Sequence, residues 1–297
     1  MAATVRKLNI GLAFGVAGLA AGAPTIAVAD DDGMTVSLAG GAMQSDFTRE
    51  KLGAPGGVVD DDFGLYGSVE VLRDIKPGWD WSASASAVAF APNSFTDLGD
   101  DISDESSLTS DFDAGIANFD IGRKWETSRT SLRLGVGVEA LSTSQDKGVS
   151  AFSSSGGGSV DSLQSNNSRD YVGAGLRISA QAKAQLAAGS PFSVYGGASA
   201  AATRGQYSYD KGLTYTDDVD GPSGGDVSAS GNGGLGHGTL DVGLEYAPTS
   251  RTAFRVGLRR DIFKMDADSG ILPDELPDIF GSTIKADTVY VGVAISF

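Results

Sequence analysis

From Val172 to Leu186 the chain alternates without a break. Val172, Ala174, Leu176, Ile178, Ala180, Ala182, Ala184 and Leu186 are separated by Gly173, Gly175, Arg177, Ser179, Gln181, Lys183 and Gln185. A helix brings apolar residues round every 3.6 positions, so eight successive alternations specify a strand with one oily and one wet face. Leu132, Leu134, Val136, Val138 and Ala140 repeat the pattern against Arg133, Gly135, Gly137 and Glu139. The chain ends in the same way, with Val289, Val291, Val293, Ile295 and Phe297 on one face.

Which solvent the oily face meets is set by the first thirty residues. Arg6 and Lys7 precede the apolar run Leu8 to Ala21, and Ala27-Val28-Ala29 has the small-x-small form of a cleavage site. The reading is a secretory signal peptide over residues 1–29, cut before Asp30, followed by a single domain over residues 30–297. Removing it takes two basic residues and no acid, leaving 20 basic side chains against 38 acidic. No later stretch approaches the roughly 18 apolar residues of a transmembrane helix. If the exported chain enters a membrane, it enters as a closed barrel, because lipid leaves no partner for an open sheet edge.

Ten segments carry the period-two pattern: Met34 to Met43, Phe63 to Arg73, Trp79 to Phe90, Phe112 to Lys124, Ser131 to Leu141, Tyr171 to Ala187, Phe192 to Arg204, Gly238 to Ala247, Thr252 to Phe263 and Asp287 to Phe297. Each is long enough to cross an outer membrane as a tilted strand of about 9 to 11 residues. In the fourth, Phe112 and Ile116 are out of phase with Phe119 and Ile121, which predicts a bulge near Asn118. The connections alternate too. Gln44 to Asp62, Ala91 to Asp111, Ser142 to Asp170, Gly205 to His237 and Lys264 to Ala286 are long and polar, whereas Asp74 to Gly78, Trp125 to Thr130, Ala188 to Pro191 and Pro248 to Arg251 are short. The expected fold is all-β: a transmembrane antiparallel up-and-down barrel of about ten strands in a bacterial outer membrane, with short periplasmic turns and long extracellular loops. Trp79, Trp81 and Trp125 lie beside the short turns, where an aromatic girdle meets headgroups. Phe297, a terminal aromatic on a final strand, resembles the signal read by the barrel-assembly machinery.

The face opposite the lipid lines the interior and is mostly serine and glycine. About eight strands already leave an interior that side chains fill, so ten with small residues predict a water-filled space unless a loop folds in. Inward charges are few. Pairing residues whose numbers sum to 500 around Ser250 sets Asp241 opposite Arg259 and Glu245 opposite Arg255. The turn between the fourth and fifth strands is likewise expected to bring Asp120 opposite Arg133. Glu70, Asp80, Glu139, Arg177 and Lys183 complete the lumenal set. Such charges form either an ion-selecting constriction or internal struts of a closed barrel, and the pattern favours neither.

The outer loops hold carboxylates, Asp97, Asp100, Asp101, Asp104 and Glu105 in one and Asp217, Asp218, Asp220 and Asp226 in another. They are read as solvated loop, with divalent-cation bridging to lipopolysaccharide as the alternative. Asp218-Val219-Asp220-Gly221 lacks the closing Glu of an EF-hand, and Ser153 to Gly158 is low-complexity linker. The absence of cysteine excludes disulfides, zinc-thiolate sites and thiol nucleophiles, and one histidine excludes multi-histidine metal sites. A net charge of −16 excludes nucleic acid as a partner. No cofactor motif or nucleophile elbow is present. His237, between two glycines at the expected outer end of the eighth strand, is read as a loop histidine without a role. Surface proteases of the omptin family are also ten-stranded barrels, with an Asp/His pair at the rim, but this sequence resembles them in strand number only. No enzymatic activity is expected. The expected partners are outer-membrane lipid and lipopolysaccharide, the assembly machinery, and small ions or solutes.

Residues Asp111 to Trp125 (DFDAGIANFDIGRKW), Ser131 to Ala140 (SLRLGVGVEA), Tyr171 to Arg177 (YVGAGLR), Phe192 to Ser199 (FSVYGGAS) and Asp62 to Gly67 (DFGLYG) resemble strands of the Legionella-type major outer-membrane protein family. The resemblance implies a pore-forming outer-membrane barrel, carries over no catalytic residues, and leaves two functions in view: a narrow pore, or a closed barrel acting through its acidic loops as an adhesin or envelope-stabilising protein.

Overall fold

A computed structural model describes residues 33–45, 58–59, 63–90, 93–98, 104–154, 160–217, 221–267 and 283–297. The expected signal peptide and its cleavage site lie outside the described residues, as do Asp100, Asp101, Asp218 and Asp220. Twelve strands run through the described parts: β1 (Met34–Ser45), β2 (Val58–Val59), β3 (Phe63–Lys76), β4 (Trp79–Phe90), β5 (Asn93–Leu98), β6 (Asp104–Glu126), β7 (Thr130–Ser154), β8 (Val160–Gln185), β9 (Phe192–Asp217), β10 (Gly221–Tyr246), β11 (Thr252–Ala267) and β12 (Thr283–Ser296). Ten of them, all except β2 and β5, form one antiparallel ring in chain order, closed where β1 pairs with β12. The short β2 and β5 pair with each other, and β5 lies on the outer part of β6.

The ring follows from the alternation. Leu176 is 74% exposed, Ile178 64% and Val136 62%, all on the outward phase of their strands. A soluble protein does not expose a continuous belt of this kind; hydrocarbon does accept it. The short connections, residues 77–78, 127–129, 186–191 and 247–251, all lie at one end with both ends of the described chain. At residues 77–78, Pro77 precedes Gly78, whose φ of 77° suits the third position of a type II turn. Such a turn splays the strands it joins, and the register slips at Ile75, between the pairs Asp74–Asp80 and Lys76–Trp79. Phe297 N–H donates to the Met34 carbonyl at 2.9 Å, continuing the closing seam to the last residue.

Two expectations are corrected. Much of the predicted outer loop is strand: β7 to β10 continue for 25 or 26 residues each, about 85 Å at roughly 3.3 Å per residue. Backbone pairing sustains these ribbons although most of their side chains are polar. There is also no bulge at Asn118: β6 keeps unbroken register with β4 and β7 through that point. The apolar residues change face while the strand does not, because Phe112, Ala114 and Ile116 point into the barrel and Phe119 and Ile121 point to lipid.

Candidate functional site

With the register fixed, the interior divides into two levels. The lower level, toward the short turns, holds the predicted charges in a buried network. Asp80 is fully buried, accepts from Arg133 Nε at 2.7 Å and lies 3.7 Å from Lys124. Arg133 also donates to Ser82 at 3.1 Å. Arg177 pairs with Asp120, which accepts a further bond from Ser179 at 3.1 Å. Glu245 is held by Lys183 on one side and by Arg255 on the other, the latter at 2.9 Å. The predicted facing pair Glu245–Arg255 is therefore present in register and in side-chain contact.

Two predicted pairings are replaced. Asp120 stands opposite Gly137, and it is Lys124 that stands opposite Arg133. The Arg133 side chain reaches across to β4, and Asp120 is met by β8 instead. Asp241 does face Arg259 in register, but its carboxylate accepts from the Tyr290 hydroxyl at 2.7 Å while Arg259 grips Asp261 through two nitrogens, at 2.7 and 2.8 Å. Glu70 lines the cavity and makes no ion pair within 4 Å among the described residues.

His237 is a further correction: it is a lumenal residue, 4% exposed. Its Nδ1 lies 2.9 Å from Glu139 and its Nε2 3.1 Å from Asp261, and its ring stacks on Phe263 at 4.8 Å. Glu139 Oε2 in turn lies 3.6 Å from Arg177, and Arg259 Nη1 donates to the Tyr66 hydroxyl at 3.0 Å. One line of alternating charge thus runs Asp120–Arg177–Glu139–His237–Asp261–Arg259 across the barrel. Asp261, Tyr66 and Tyr290 were not singled out from sequence and His237 was placed in a loop, yet the sum-to-500 register, extended four residues, already pairs Thr239 with Asp261 and His237 with Phe263.

Above this network the filling is mainly apolar, although the fully buried Gln145 stands opposite Phe112 in register. Phe263 and Ile284 are completely buried and Phe112, Met43 and Leu141 are 2% exposed. They join Val88, Phe90, Ile116, Leu235 and a tyrosine pair, Tyr171 and Tyr207, in one cluster, to which all ten ring strands contribute. Phe112 meets Phe263 edge-on, with centroids 5.3 Å apart, and Tyr171 and Tyr207 sit 4.7 Å apart. The Tyr171 hydroxyl shares a 2.7 Å hydrogen bond with Thr203. Below the cluster a cavity of about 360 Å³, lined by charged, hydroxyl and small apolar side chains, reaches Lys124, Glu126 and Ser131 at the short-turn end. Arg133, Arg177, Arg255 and Arg259 line it, while Asp80, Asp120, Glu139 and Asp261 are packed into the wall behind them. Among the described residues no group of three or more His, Cys, Asp or Glu side chains is placed to hold a metal ion.

No protein-family model matches the chain, nor does any curated sequence. In structure it is similar to the outer membrane protease OmpT from Escherichia coli, with 13% identity and a TM-score of 0.50 over 93% of this chain and 100% of that one. The chain has the fold of the outer-membrane β-barrels. Lower likenesses include the transport unit of the autotransporter AIDA-I from Escherichia coli (10% identity, TM-score 0.34, 98% of this chain and 97% of that one) and Ail, the attachment invasion locus protein of Yersinia pestis (9%, 0.31, 90% and 99%).

Proposed function

We propose that this barrel is sealed, and that it works from the outside of a bacterial outer membrane as a surface or envelope-stabilising protein carrying the β6–β10 ribbons above the bilayer. The observation that carries this reading is the apolar cluster: every ring strand places at least one buried apolar side chain in it. Ions crossing such a layer would lose most of their water, with only a few hydroxyl and amide groups to replace it. The charges beneath support the same reading, since the buried carboxylates are matched by arginine, lysine or histidine and serve as struts. His237 is assigned to that network and given no catalytic role, because both ring nitrogens face carboxylates. Export by the signal peptide and recognition of Phe297 during assembly belong to the same proposal.

Planar-bilayer recording on the folded protein tests it. No steady conductance is expected; discrete, reproducible channels would favour the narrow pore, the reading that the lower cavity and the family resemblance support, and would require the apolar cluster to move.

A further inference from the structure

All three of the chain's tryptophans stand on the outward face at the short-turn end, Trp79 and Trp81 on β4 and Trp125 on β6. A girdle accounts for the rings, but not for the cations gathered on them. The Lys76 ammonium lies over the Trp79 ring, 5.6 Å from its centroid, and the Arg123 guanidinium lies 5.7 Å from the same ring and 5.5 Å from that of Trp125. Arg123 stands opposite Trp79 in register, on the outward phase of β6. Lys76 reaches this face through the slip at Ile75. On a strictly alternating β3 it would share the inward phase of Asp74, and the extra residue sets it opposite Trp79 instead.

Neither cation has an anion among the described residues. A ring face attracts the charge but accepts none of the strong hydrogen bonds that an ammonium or a guanidinium donates. The carboxylates at this end are engaged elsewhere: Asp80 is fully buried against Arg133, Asp74 accepts from Lys124 at 2.6 Å, and Glu126 lines the lumenal cavity. The outward phases of β3 from Phe63 to Ile75, β4 from Trp79 to Ala89, β6 from Ala117 to Trp125 and β7 from Leu132 to Ala140 carry no acid. Arg73, opposite Trp81 on the same face, has contacts of its own. Without it, two uncompensated cations share one indole at the edge of the exposed belt, where Ile121, Leu132 and Leu134 begin.

We propose that this corner of β3, β4 and β6 seats one anionic phospholipid of the periplasmic leaflet. Its phosphate diester takes the N–H edge of Arg123 and the Lys76 ammonium, and its acyl chains run down the belt over Trp81, Phe119 and Ile121. Charge and depth select this occupant together. Tryptophan marks the headgroup level, a guanidinium set beside two rings keeps its hydrogen-bonding edge for a ligand, and a phosphodiester is the acceptor that a leaflet holds there. A zwitterionic lipid brings its own ammonium to the same place, where two cations repel it; a net-negative headgroup brings none. The inference rests on the membrane placement in the reading above and is independent of the seal.

Flotation of the folded mature protein with phosphatidylcholine vesicles comes first, and failure to insert would overturn the membrane placement and this seat with it. The same protein in neutral detergent, titrated with phosphatidylglycerol and with phosphatidylethanolamine of matched acyl chains and followed by native mass spectrometry, then tests the seat itself. One phosphatidylglycerol per chain is expected, bound more tightly than phosphatidylethanolamine. Each cation near a headgroup is worth about fivefold in affinity, so Lys76→Gln should weaken phosphatidylglycerol about fivefold and Lys76→Gln with Arg123→Gln about twenty-five-fold. Arg123→Lys, which keeps the charge and loses the planar edge, should fall between the parent and Arg123→Gln. Trp79→Leu, which leaves both charges in place and removes the ring that gathers them, should weaken binding as well. Arg251→Gln, on the β10–β11 turn at the same end, should not. Heat-modifiable gel mobility establishes that each variant is folded. Equal binding of the two lipids, no loss in the double Gln variant or in Trp79→Leu, or an equal loss in Arg251→Gln would overturn the proposal and leave the membrane placement standing. So would a double Gln variant that loses a dimer mass in place of lipid, which would assign the corner to a second copy of the chain.

Discussion

The two halves of this barrel's interior are filled by different chemistry at almost equal burial. Toward the short turns Asp80, Asp120, Glu139, Glu245 and Asp261 are buried and stabilised only by the cations and donors beside them; toward the outside Phe112, Phe263, Ile284 and Met43 are buried and need no partners. The difference teaches where failure is expensive. An apolar layer loses contacts one side chain at a time, whereas a network of buried charge, once broken, leaves an uncompensated ion. The same lumen thus holds a charged floor that is brittle and an apolar seal that degrades gradually.

The largest expected effect is on the floor. Asp261→Ala leaves Arg259 without its bidentate acceptor and His237 without one of its two, and should cost about 3–5 kcal/mol. Urea unfolding followed by emission from Trp79, Trp81 and Trp125 measures it. Replacing the pair together, as Asp261→Leu with Arg259→Met, should recover a large part of that loss, since no lone charge is left behind. A single variant as stable as the parent would mean that water already screens this network, and the contrast between the levels would collapse.

Next comes the seal. Phe263→Ala should cost about 3 kcal/mol and Phe112→Ala about the same, but the two rings touch, so the double variant should cost less than the sum. In planar bilayers the double variant is expected to pass current where the parent does not. Loss of stability without any conductance would place the barrier elsewhere in the lumen.

The contrast also explains what the sequence could and could not disclose. The ring was legible because lipid demands an unbroken outward apolar phase, as from Val172 to Leu186. The seal was not, because an apolar residue facing inward obeys the same period as one facing outward; the phase change between Ile116 and Phe119 marks the start of the seal, and in sequence it has the same signature as a bulge. Partners within a hairpin, such as Glu245 and Arg255, follow from register. Partners across the lumen do not: Arg133 reaches Asp80, and His237 reaches Glu139, across strands that no turn brings together. The extended ribbons were hidden because the alternation in Gly205 to Asp217 and Gly221 to His237 is confined to short runs such as Tyr207 and Tyr209, and the rest is polar and glycine-rich, marked as strand only by its backbone pairing. His237 fell just beyond the predicted strand end and so lost its place in the lumen.

A smaller effect is expected where the floor meets small residues. The Tyr195 and Tyr290 hydroxyls share a 2.6 Å hydrogen bond, and a Cβ at Gly257 would lie 2.6 Å from one hydroxyl and 2.8 Å from the other. Gly257→Ala must displace both rings and should cost about 1–3 kcal/mol. Gly236→Ala, on the outward face with nothing closer than 3.8 Å, should be neutral in the same unfolding measurement. Equal costs at the two positions would mean that strand conformation, and not the tyrosine pair, decides what glycine contributes.

The smallest effect tests whether brittleness is graded by exposure within the floor itself. Glu245 is 2% exposed, but it has two cations, and one of them, Lys183, keeps 41% of its side chain in contact with solvent. Removing that lysine leaves Arg255 Nε on the carboxylate at 2.9 Å, so no buried charge is orphaned, and much of the lost attraction was already weakened by water. Lys183→Gln should therefore cost less than about 1 kcal/mol, and the difference from the parent should shrink further in high salt, which screens exposed charges and leaves buried pairs nearly untouched. The Asp261→Ala deficit, by contrast, should stay the same at both salt concentrations. If Lys183→Gln proves as damaging as Asp261→Ala, and as indifferent to salt, the cavity mouth is as dry as the wall behind it, and the lower lumen is a single sealed network with no wet edge.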